Sequence, residues 1–287
     1  FRFGRFYGRR ARRLFPAMFA TLAATFVASL FILSPSHLQE ASLSLIHALF
    51  SLSNVLFWSL AGYFDTASAA KPLLHTWSLG VEEQFYLVWP ASLFLAYRWR
   101  RRTGVLAVIA VVGAASLAAA EVTAGRAPDA AFFLTPFRMC ELAVGGLCLW
   151  LEFGGRRTLW LRDGATLAGL ALIGYAVAVF TPEHRFPGFA AMVPCGGAAL
   201  VIVAGRGRLA GFLLANRLAV GIGLISYSLY LVHWPLLVLS RYGRSAEPPP
   251  RERAALIAVA LLLATASYFF VERPFRRRRA DGQGLSD

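Results

Sequence analysis

Polar and aromatic side chains recur at helical spacing in the segment PLLHTWSLGVEEQFYLVWP, residues 72–90. They are His75, Ser78, Glu82, Tyr86 and Trp89, and the last four follow His75 by 3, 7, 11 and 14 residues. One continuous helix would place all five on one stripe and Val81, Phe85 and Val88 on the opposite side. Polar and ionisable side chains at membrane depth are costly, so the stripe is a candidate functional site.

The two adjacent glutamates of this segment are not equivalent. Neighbouring residues on a helix diverge by about 100°, so Glu83 cannot share the centre of the stripe with Glu82. We therefore predict that Glu82 faces the interior of the protein. The alternative is a polar helix start at an interface, where the helix dipole favours both carboxylates and His75 is merely solvated.

A second polar stripe begins at Gly223 and runs through ISYSLYLVHWPLL, residues 225–237. Gly223, Ser226, Tyr230 and His233 recur every three or four residues in an otherwise apolar stretch. Polar side chains on one face of an apolar helix are costly in lipid, so they are candidates for a functional site. The alternative is an aromatic belt at the membrane interface in which the histidine has no role.

Arginines are concentrated in RFYGRRARRLFPAMFA, residues 5–20, immediately before an apolar run. Arg10 and Arg13 are one helical turn apart, and Pro16 is expected to fix the start of the apolar helix. Two guanidiniums so placed could bind a phosphate through paired hydrogen bonds. The alternative is a topology anchor that touches anionic lipid headgroups. Nucleic-acid binding is disfavoured because the cluster abuts a segment suited to lipid.

Two other groups of reactive residue types have structural explanations. Arg138 and Glu141 are three residues apart and can form a local ion pair on one helix. Cys140, Cys148 and Cys195 lie in apolar runs without the spacing of metal ligands, so they are read as small buried residues. No metal site is predicted.

The elements that position these residues are apolar helices. Of the 287 residues, 57% are hydrophobic and only 15% are charged, which excludes a disordered basic tail. Uncharged or nearly uncharged runs cover residues 15–33, 41–60, 84–97, 103–120, 131–151, 164–180, 187–204, 218–240 and 254–271. Most approach the roughly 20 residues that span a bilayer. The sequence therefore predicts an all-α, polytopic transmembrane helix bundle.

The distribution of Lys and Arg predicts the topology, because short cytoplasmic loops are enriched in them. If residues 1–14 are cytoplasmic and residues 41–60 enter the membrane without crossing, 21 of these cations lie inside and 7 outside. If residues 41–60 cross, the count is 13 inside and 15 outside. The first arrangement is preferred, with eight crossings and one re-entrant segment. The loop at 241–253 is an exception, since it leaves four arginines outside.

Five segments together carry a resemblance to a known family. They are RFYGRRARRLFPA, SNVLFWSLAGYFD, PLLHTWSLGVEEQFYLVWP, SYSLYLVHWPLL and VERPFRR. In order and content they resemble the signatures of the acyltransferase type 3 family, bacterial membrane proteins that O-acylate cell-envelope polysaccharides. The closest resemblance is to the subgroup that acetylates O-antigen, peptidoglycan or similar glycans.

The resemblance implies roles for particular residues. Arg10 and Arg13 match the family's cytoplasmic Arg-x-x-Arg pair, which is linked to the acyl-coenzyme A donor, and Glu82 matches the glutamate of its WSL-x-x-E motif. Residues 1–279 would form the membrane acyltransferase domain, followed by a polar tail at 280–287. The family's first two helices, with its essential histidine, would precede Phe1. An SGNH-type domain often follows in this subgroup.

The resulting hypothesis is transfer of an acyl group, most simply acetyl, from cytoplasmic acyl-coenzyme A to a glycan hydroxyl outside the bacterial inner membrane. The acyl-coenzyme A is a donor substrate, and no bound cofactor is expected. Glu82 with His75 or His233 would supply the base, and Ser78, Tyr86, Ser226 and Tyr230 would line the substrate site. The alternative is a non-catalytic transporter or flippase of lipid-linked sugars, which would leave its substrate chemically unchanged.

Overall fold

The computed structural model describes residues 1–61, 71–151, 159–181, 184–205, 207–244 and 248–277. Of the residues in these ranges, 87% are helical and none lies in a strand. This confirms the predicted all-α fold of a polytopic membrane protein. The proposed tail at 280–287 lies outside the described residues.

Twelve α-helices account for the described chain, with two short segments of other helical type. They are α1 Phe3–Ile32, α2 Pro35–Leu49, α3 Ser53–Leu60, α4 Thr76–Ala124, α5 Pro128–Phe133, α6 Thr135–Leu147, α7 Leu159–Val179, α8 Phe189–Ala204, α9 Arg208–Leu214, α10 Arg217–Arg241, α11 Pro250–Ala266 and α12 Arg273–Arg277. A 3₁₀ turn, Cys148–Trp150, follows α6, and a π-helix, Ser267–Glu272, joins α11 to α12.

The predicted number of eight crossings is too high. Among the described residues, five helices are long and apolar enough to cross a membrane, or up to six if the bent pair α8 and α9 counts as one span. The run at 131–151 does not form a span, because it is divided among α5, α6 and the 3₁₀ turn. The runs at 84–97 and 103–120 lie on either side of a break in α4, which is one of the five candidates.

Helix α4 is sharply broken at two arginines. Arg100 and Arg101 have non-helical backbone angles, and Arg101 has a φ of 51°. Ile109, which follows the break, packs in one buried cluster with Phe85 and Trp89, which precede it. In a straight helix, Ile109 and Trp89 would be about 30 Å apart. The two halves of α4 therefore fold back on each other.

The segment predicted to be re-entrant forms two short helices. Helices α2 and α3 have 15 and 8 residues, and neither is a candidate span. They pack against the start of α4, where Thr76 Oγ1 donates to Ser53 Oγ at 2.9 Å. A Cβ added to Gly80 would lie 2.7 Å from Asn54 Oδ1, so glycine permits this close approach. The arrangement agrees with a segment that does not cross as one helix.

The chain divides into two compact units, Phe1–Gly80 with Gly221–Asp287, and Val81–Val220. In the first unit, α1 and α10 run in the same direction. Tyr227 Oη donates to the Leu14 carbonyl at 2.9 Å, and farther along both helices the Ser34 amide donates to Tyr242 Oη at 3.1 Å. The arginine-rich start of α1 and the start of α10 therefore lie at the same end of this unit.

The second unit is built around small-residue contacts and capped helix ends. Helices α7 and α8 approach closely at Gly169 and Gly197, where a Cβ on Gly197 would lie 2.7 Å from the Gly169 carbonyl oxygen. Small residues allow this packing where lipid supplies no hydrophobic driving force between helices. Glu121 accepts a hydrogen bond from the Phe189 amide at 2.9 Å, at the start of α8.

Candidate active site

A buried turn, Lys71–His75, brings His75 against α10 in the first unit. Trp234 Nε1 donates to the Lys71 carbonyl at 3.0 Å, and Tyr230 Oη donates to the His75 carbonyl at 2.5 Å. Leu73 anchors the turn in an apolar cluster formed by Ala17, Met18, Leu22, Ala48 and Leu231. Because α1, α2 and α10 all contribute to that cluster, they jointly fix the position of His75.

Three rings meet at this turn. The ring centroids of His75 and His233 are 5.8 Å apart, and that of Tyr230 lies 5.3 Å from His75 and 5.6 Å from His233. Ser78 Oγ is in hydrogen-bonding contact with Tyr230 Oη. The structure thus brings together four of the predicted site residues from two segments about 150 residues apart.

His75 is a buried imidazole, only 7% exposed, and neither ring nitrogen has a hydrogen-bond partner among the described residues. Burial, reinforced by the nearby imidazole of His233, lowers the pKa of His75 to about 3, and the Leu231 backbone acts in the opposite direction. His75 is therefore neutral near pH 7. Its unmatched nitrogens could donate to or accept from a bound hydroxyl.

His233 has a defined tautomer. Its Nδ1 lies 2.7 Å from the Tyr230 carbonyl oxygen and 3.1 Å from that of Leu229. A carbonyl only accepts, so Nδ1 carries the hydrogen, and in the neutral ring Nε2 carries the lone pair. A histidine held in this way can act as a general base through Nε2.

An open cavity of about 440 Å³ adjoins His233. It is lined by Ser226, Leu229, Tyr230, His233, Ile257, Ala260 and Leu261. The predicted lining residues Ser226 and Tyr230 therefore border the same space as His233. The lining is mostly apolar, with Ile257, Ala260 and Leu261 of α11 facing the α10 residues that include His233.

Arg10 and Arg13 lie within the first three turns of α1, before Leu14, with Arg10 half-buried and Arg13 exposed. Helix α1 starts at Phe3 and continues through Pro16, so the proline does not fix its start as predicted. The hydrogen bond from Tyr227 to the Leu14 carbonyl places Tyr227 of α10 beside this end of α1. His233 is six residues beyond Tyr227, roughly 9 Å along the axis. The arginine pair and the histidine site therefore share one unit and are separated by a few helical turns.

Comparison with known proteins identifies the family. A family model described as an acyltransferase domain matches residues 1–269. The chain belongs to this acyltransferase family. Together with the candidate spans, this makes it a multi-pass membrane member of the family.

Three relatives illustrate the match. A putative membrane-bound transacylase, BcsY, from Komagataeibacter xylinus is 30% identical and aligns with 94% of this chain and 68% of its own length. A putative peptidoglycan O-acetyltransferase, YrhL, from Bacillus subtilis is 30% identical, with coverage of 94% and 45%. The peptidoglycan O-acetyltransferase OatA from Listeria monocytogenes is 28% identical, with coverage of 95% and 46%. The acyltransferase chain thus spans less than half of the last two. No solved structure gives a significant match.

The second unit of the acyltransferase contains the other predicted residues, Glu82 and Tyr86. Trp89 does not join their stripe: it is buried and stacks on Phe85, with ring centroids 4.7 Å apart. Val88, expected on the apolar side, is 55% exposed. The apolar face therefore follows positions 81, 85 and 89, four residues apart, and Glu82 and Glu83 are both half-buried.

The difference between Glu82 and Glu83 remains a prediction, supported by the continuous helix that carries both. Glu82→Gln in the full-length protein is expected to abolish acyl transfer, and Glu83→Gln is expected to reduce it only a few-fold. Initial rates with radiolabelled acetyl-coenzyme A would be compared at matched protein levels in membranes. Equal losses in the two variants would show that the orientation of Glu82 has no special role.

The predicted pair of Arg138 and Glu141 is present, with Nη2 and Oε2 3.1 Å apart. The Arg138 guanidinium also lies 5.6 Å and 5.3 Å from the ring centroids of Phe132 and Phe186. The Glu141 carboxylate and two aromatic neighbours stabilise this half-buried arginine. Its arrangement agrees with a structural role.

Sequence reasoning missed a buried carboxylate in the first unit. Glu272 is 2% exposed and pairs with Arg276, with a distance of 3.0 Å between Oε1 and Nη1. It directly follows the apolar run ending at residue 271, so it resembled an ordinary helix boundary. The available signal was the spacing within VERPFRR, where Arg276 follows Glu272 by four residues.

Proposed function

We propose that this acyltransferase transfers an acyl group, most simply acetyl, from acyl-coenzyme A on the cytoplasmic side to a hydroxyl of a cell-envelope glycan on the outer side. The relatives named as peptidoglycan O-acetyltransferases support a glycan acceptor. The bacterial inner membrane is the compartment where both substrates meet. An SGNH-type domain in the full-length protein remains part of the proposal.

The observation that carries the proposal is the group formed by the buried His75 and the half-buried Tyr230 and His233, in the unit that also contains Arg10 and Arg13. A donor with several phosphates requires cations, and paired guanidiniums bind phosphate oxygens in a defined geometry. A glycan hydroxyl is a weak nucleophile and requires a base. The unit offers both kinds of group, a few helical turns apart.

The reaction can be written with these residues in named roles. The acceptor hydroxyl donates its proton to His233 Nε2 as its oxygen attacks the thioester carbonyl. The carbon–sulfur bond breaks, and the coenzyme A thiolate leaves and takes up a proton. His75, neutral and buried beside His233, is the second imidazole of the group and an alternative base. Tyr230 and Ser78 hold the turn that carries His75, and Glu82 remains a further candidate base.

Acyl transfer is tested by following the group itself. Membranes containing the full-length protein would receive acetyl-coenzyme A labelled in the acetyl group, and the envelope glycan would be analysed by mass spectrometry. We expect a gain of one acetyl mass that carries the label and is lost on mild alkaline treatment. Glycan that crosses the membrane without gaining mass would instead support the transporter alternative.

The cytoplasmic placement of the donor end predicts a labelling pattern. Single cysteines at Arg101 and Asp129, in a full-length background lacking the native cysteines, would be treated with an impermeant maleimide in intact cells. Only the cysteine at position 129 is expected to react, because the arginines around position 101 are retained inside. Reaction at position 101 in intact cells, with membrane integrity verified, would contradict the orientation.

A further inference from the structure

Glu272 ends the π-helix Ser267–Glu272, in a part of the first unit with no assigned role. π-helical turns are rare and occur often at functional sites. A carboxylate that is 2% exposed must be compensated by close partners, because burying an unpaired charge is costly. The partners of Glu272 therefore indicate what its burial accomplishes.

The two carboxylate oxygens of Glu272 have different partners. Oε2 lies 3.2 Å from Ser228 Oγ on α10, and Ser228 is fully buried. Ser228 Oγ is also 3.1 Å from Ser267 Oγ, at the other end of the π-helix. Oε1 accepts a hydrogen bond from Arg276 Nη1 at 3.0 Å. Glu272 thus connects α10 to the arginine of α12.

Arg276 is held at the donor end of the unit. The π-helix and α12 both pack against α1. Ser228 is next to Tyr227, which bonds to Leu14 one residue after Arg13. Glu252 at the start of α11 pairs with Arg244 just after α10, whereas Glu272 reaches back to Ser228 within α10. The chain from α11 through α12 therefore runs opposite to α10, toward the end where α1 begins. Arg276 therefore lies at the same end as Arg10 and Arg13.

Arg276 retains the capacity to bind an anion. A guanidinium carries five N–H donors, and the ion pair with Glu272 uses Nη1. Its side chain is 37% exposed, so it is both oriented by a buried partner and accessible. Arg273 differs, since its guanidinium lies 5.4 Å from the Phe269 ring centroid.

We propose that Arg276 is a third guanidinium of the donor site, oriented by the buried Glu272 to bind a phosphate group together with Arg10 and Arg13. The inference rests on the proposed function for the source of the phosphate, which is coenzyme A rather than a lipid headgroup. Glu272 is a positioning residue, because it acts through Arg276.

A direct binding measurement distinguishes coenzyme A from a lipid headgroup as the source of the phosphate. Full-length protein would be placed in nanodiscs of phosphatidylcholine alone, or of phosphatidylcholine with phosphatidylglycerol, and titrated with radiolabelled coenzyme A. We expect Arg276→Ala to weaken coenzyme A binding about 10-fold or more in both lipids, because a charge-assisted hydrogen bond is lost. Arg276→Lys should recover only part of the affinity. Arg251→Ala, which removes an exposed arginine near the other end of the same helical segment, is the matched control and should bind normally.

Glu272 is tested through its coupling to Arg276. Glu272→Gln should weaken coenzyme A binding several-fold in the wild-type protein and cause no further loss of affinity in the Arg276→Ala variant. If Glu272 had an independent structural role, the two losses of affinity would be additive. Glu272→Asp should partly restore affinity.

Unchanged coenzyme A affinity of Arg276→Ala in phosphatidylcholine discs would overturn the inference, as would a wild-type protein that does not bind coenzyme A. If binding depends on Arg276 but no acetyl group reaches the glycan, the donor site stands and the proposed function fails.

Discussion

Replacement of His233 by asparagine is expected to lower kcat for acyl transfer by about 10²- to 10⁴-fold, the usual effect of removing a general base. The asparagine amide can still donate to the Tyr230 carbonyl, in place of His233 Nδ1, but it has no counterpart of Nε2. The local helix should therefore remain intact while the base is lost. Initial rates would be measured in membranes containing the full-length protein and labelled acetyl-coenzyme A, with KM for the donor determined in parallel.

His47 supplies a matched control for this experiment. His47 Nδ1 lies 2.8 Å from the Leu43 carbonyl oxygen, four residues earlier, and His233 Nδ1 makes the equivalent contact with Leu229. The His47 ring does not belong to the group of His75, Tyr230 and His233. His47→Asn should leave kcat within a few-fold of the wild-type value. If His233→Asn also retains nearly full kcat, His233 is not the base, and His75 and Glu82 remain as candidates.

The sequence predicted the class of fold well because hydrophobicity alone determines it. Long apolar runs must be helical in lipid, where no water satisfies the backbone. The number of spans was harder, since hydropathy does not show where a run is interrupted. In residues 131–151, Pro136 lies in the first turn of α6 and Leu134 before it is extended. A proline is tolerated at the start of a helix and disfavoured inside one, so the run was divided rather than continuous.

The candidate site was predicted in separate pieces. Helical spacing indicated that Ser226, Tyr230 and His233 belong together, and separately that His75 and Ser78 do. The contacts that join the two groups are hydrogen bonds from Tyr230 and Trp234 to backbone carbonyls of a turn. Backbone acceptors exist at every residue and leave no pattern in one sequence. Only the folded chain shows which turn these side chains reach.

The limits of periodicity also explain the assignments that differed. Trp89 fits both the polar stripe that begins at His75 and the apolar stripe of Val81 and Phe85, and burial against Phe85 decides between them. Glu272 was missed because a π-helix does not follow the 3.6-residue period on which stripe arguments rest. Both cases concern residues at the edge of a pattern, where packing outweighs spacing.

The second large effect is expected at the pair Arg10 and Arg13. Arg10→Ala with Arg13→Ala should raise the KM for acetyl-coenzyme A about 100-fold or more, so that no acylation is detected at ordinary donor concentrations. Each charge-assisted hydrogen bond is worth roughly 1.5 to 3 kcal/mol, and about 1.4 kcal/mol corresponds to a tenfold change in affinity. The corresponding lysine variants should recover little activity, because a point charge cannot reproduce a bidentate contact.

Arg9 allows binding of phosphate to be distinguished from anchoring at the membrane. It is an exposed arginine in the same helix and directly adjacent to Arg10, but about 100° away around the axis. An electrostatic anchor depends on the number of cations near the membrane surface. If the arginines act only as an anchor, Arg9→Ala and Arg10→Ala should therefore reduce acylation by about the same factor. A phosphate site depends on which face the cations occupy, so Arg9→Ala should retain near-normal KM. If acylation survives loss of both Arg10 and Arg13, with insertion confirmed by labelling, the pair is an anchor and the donor binds elsewhere.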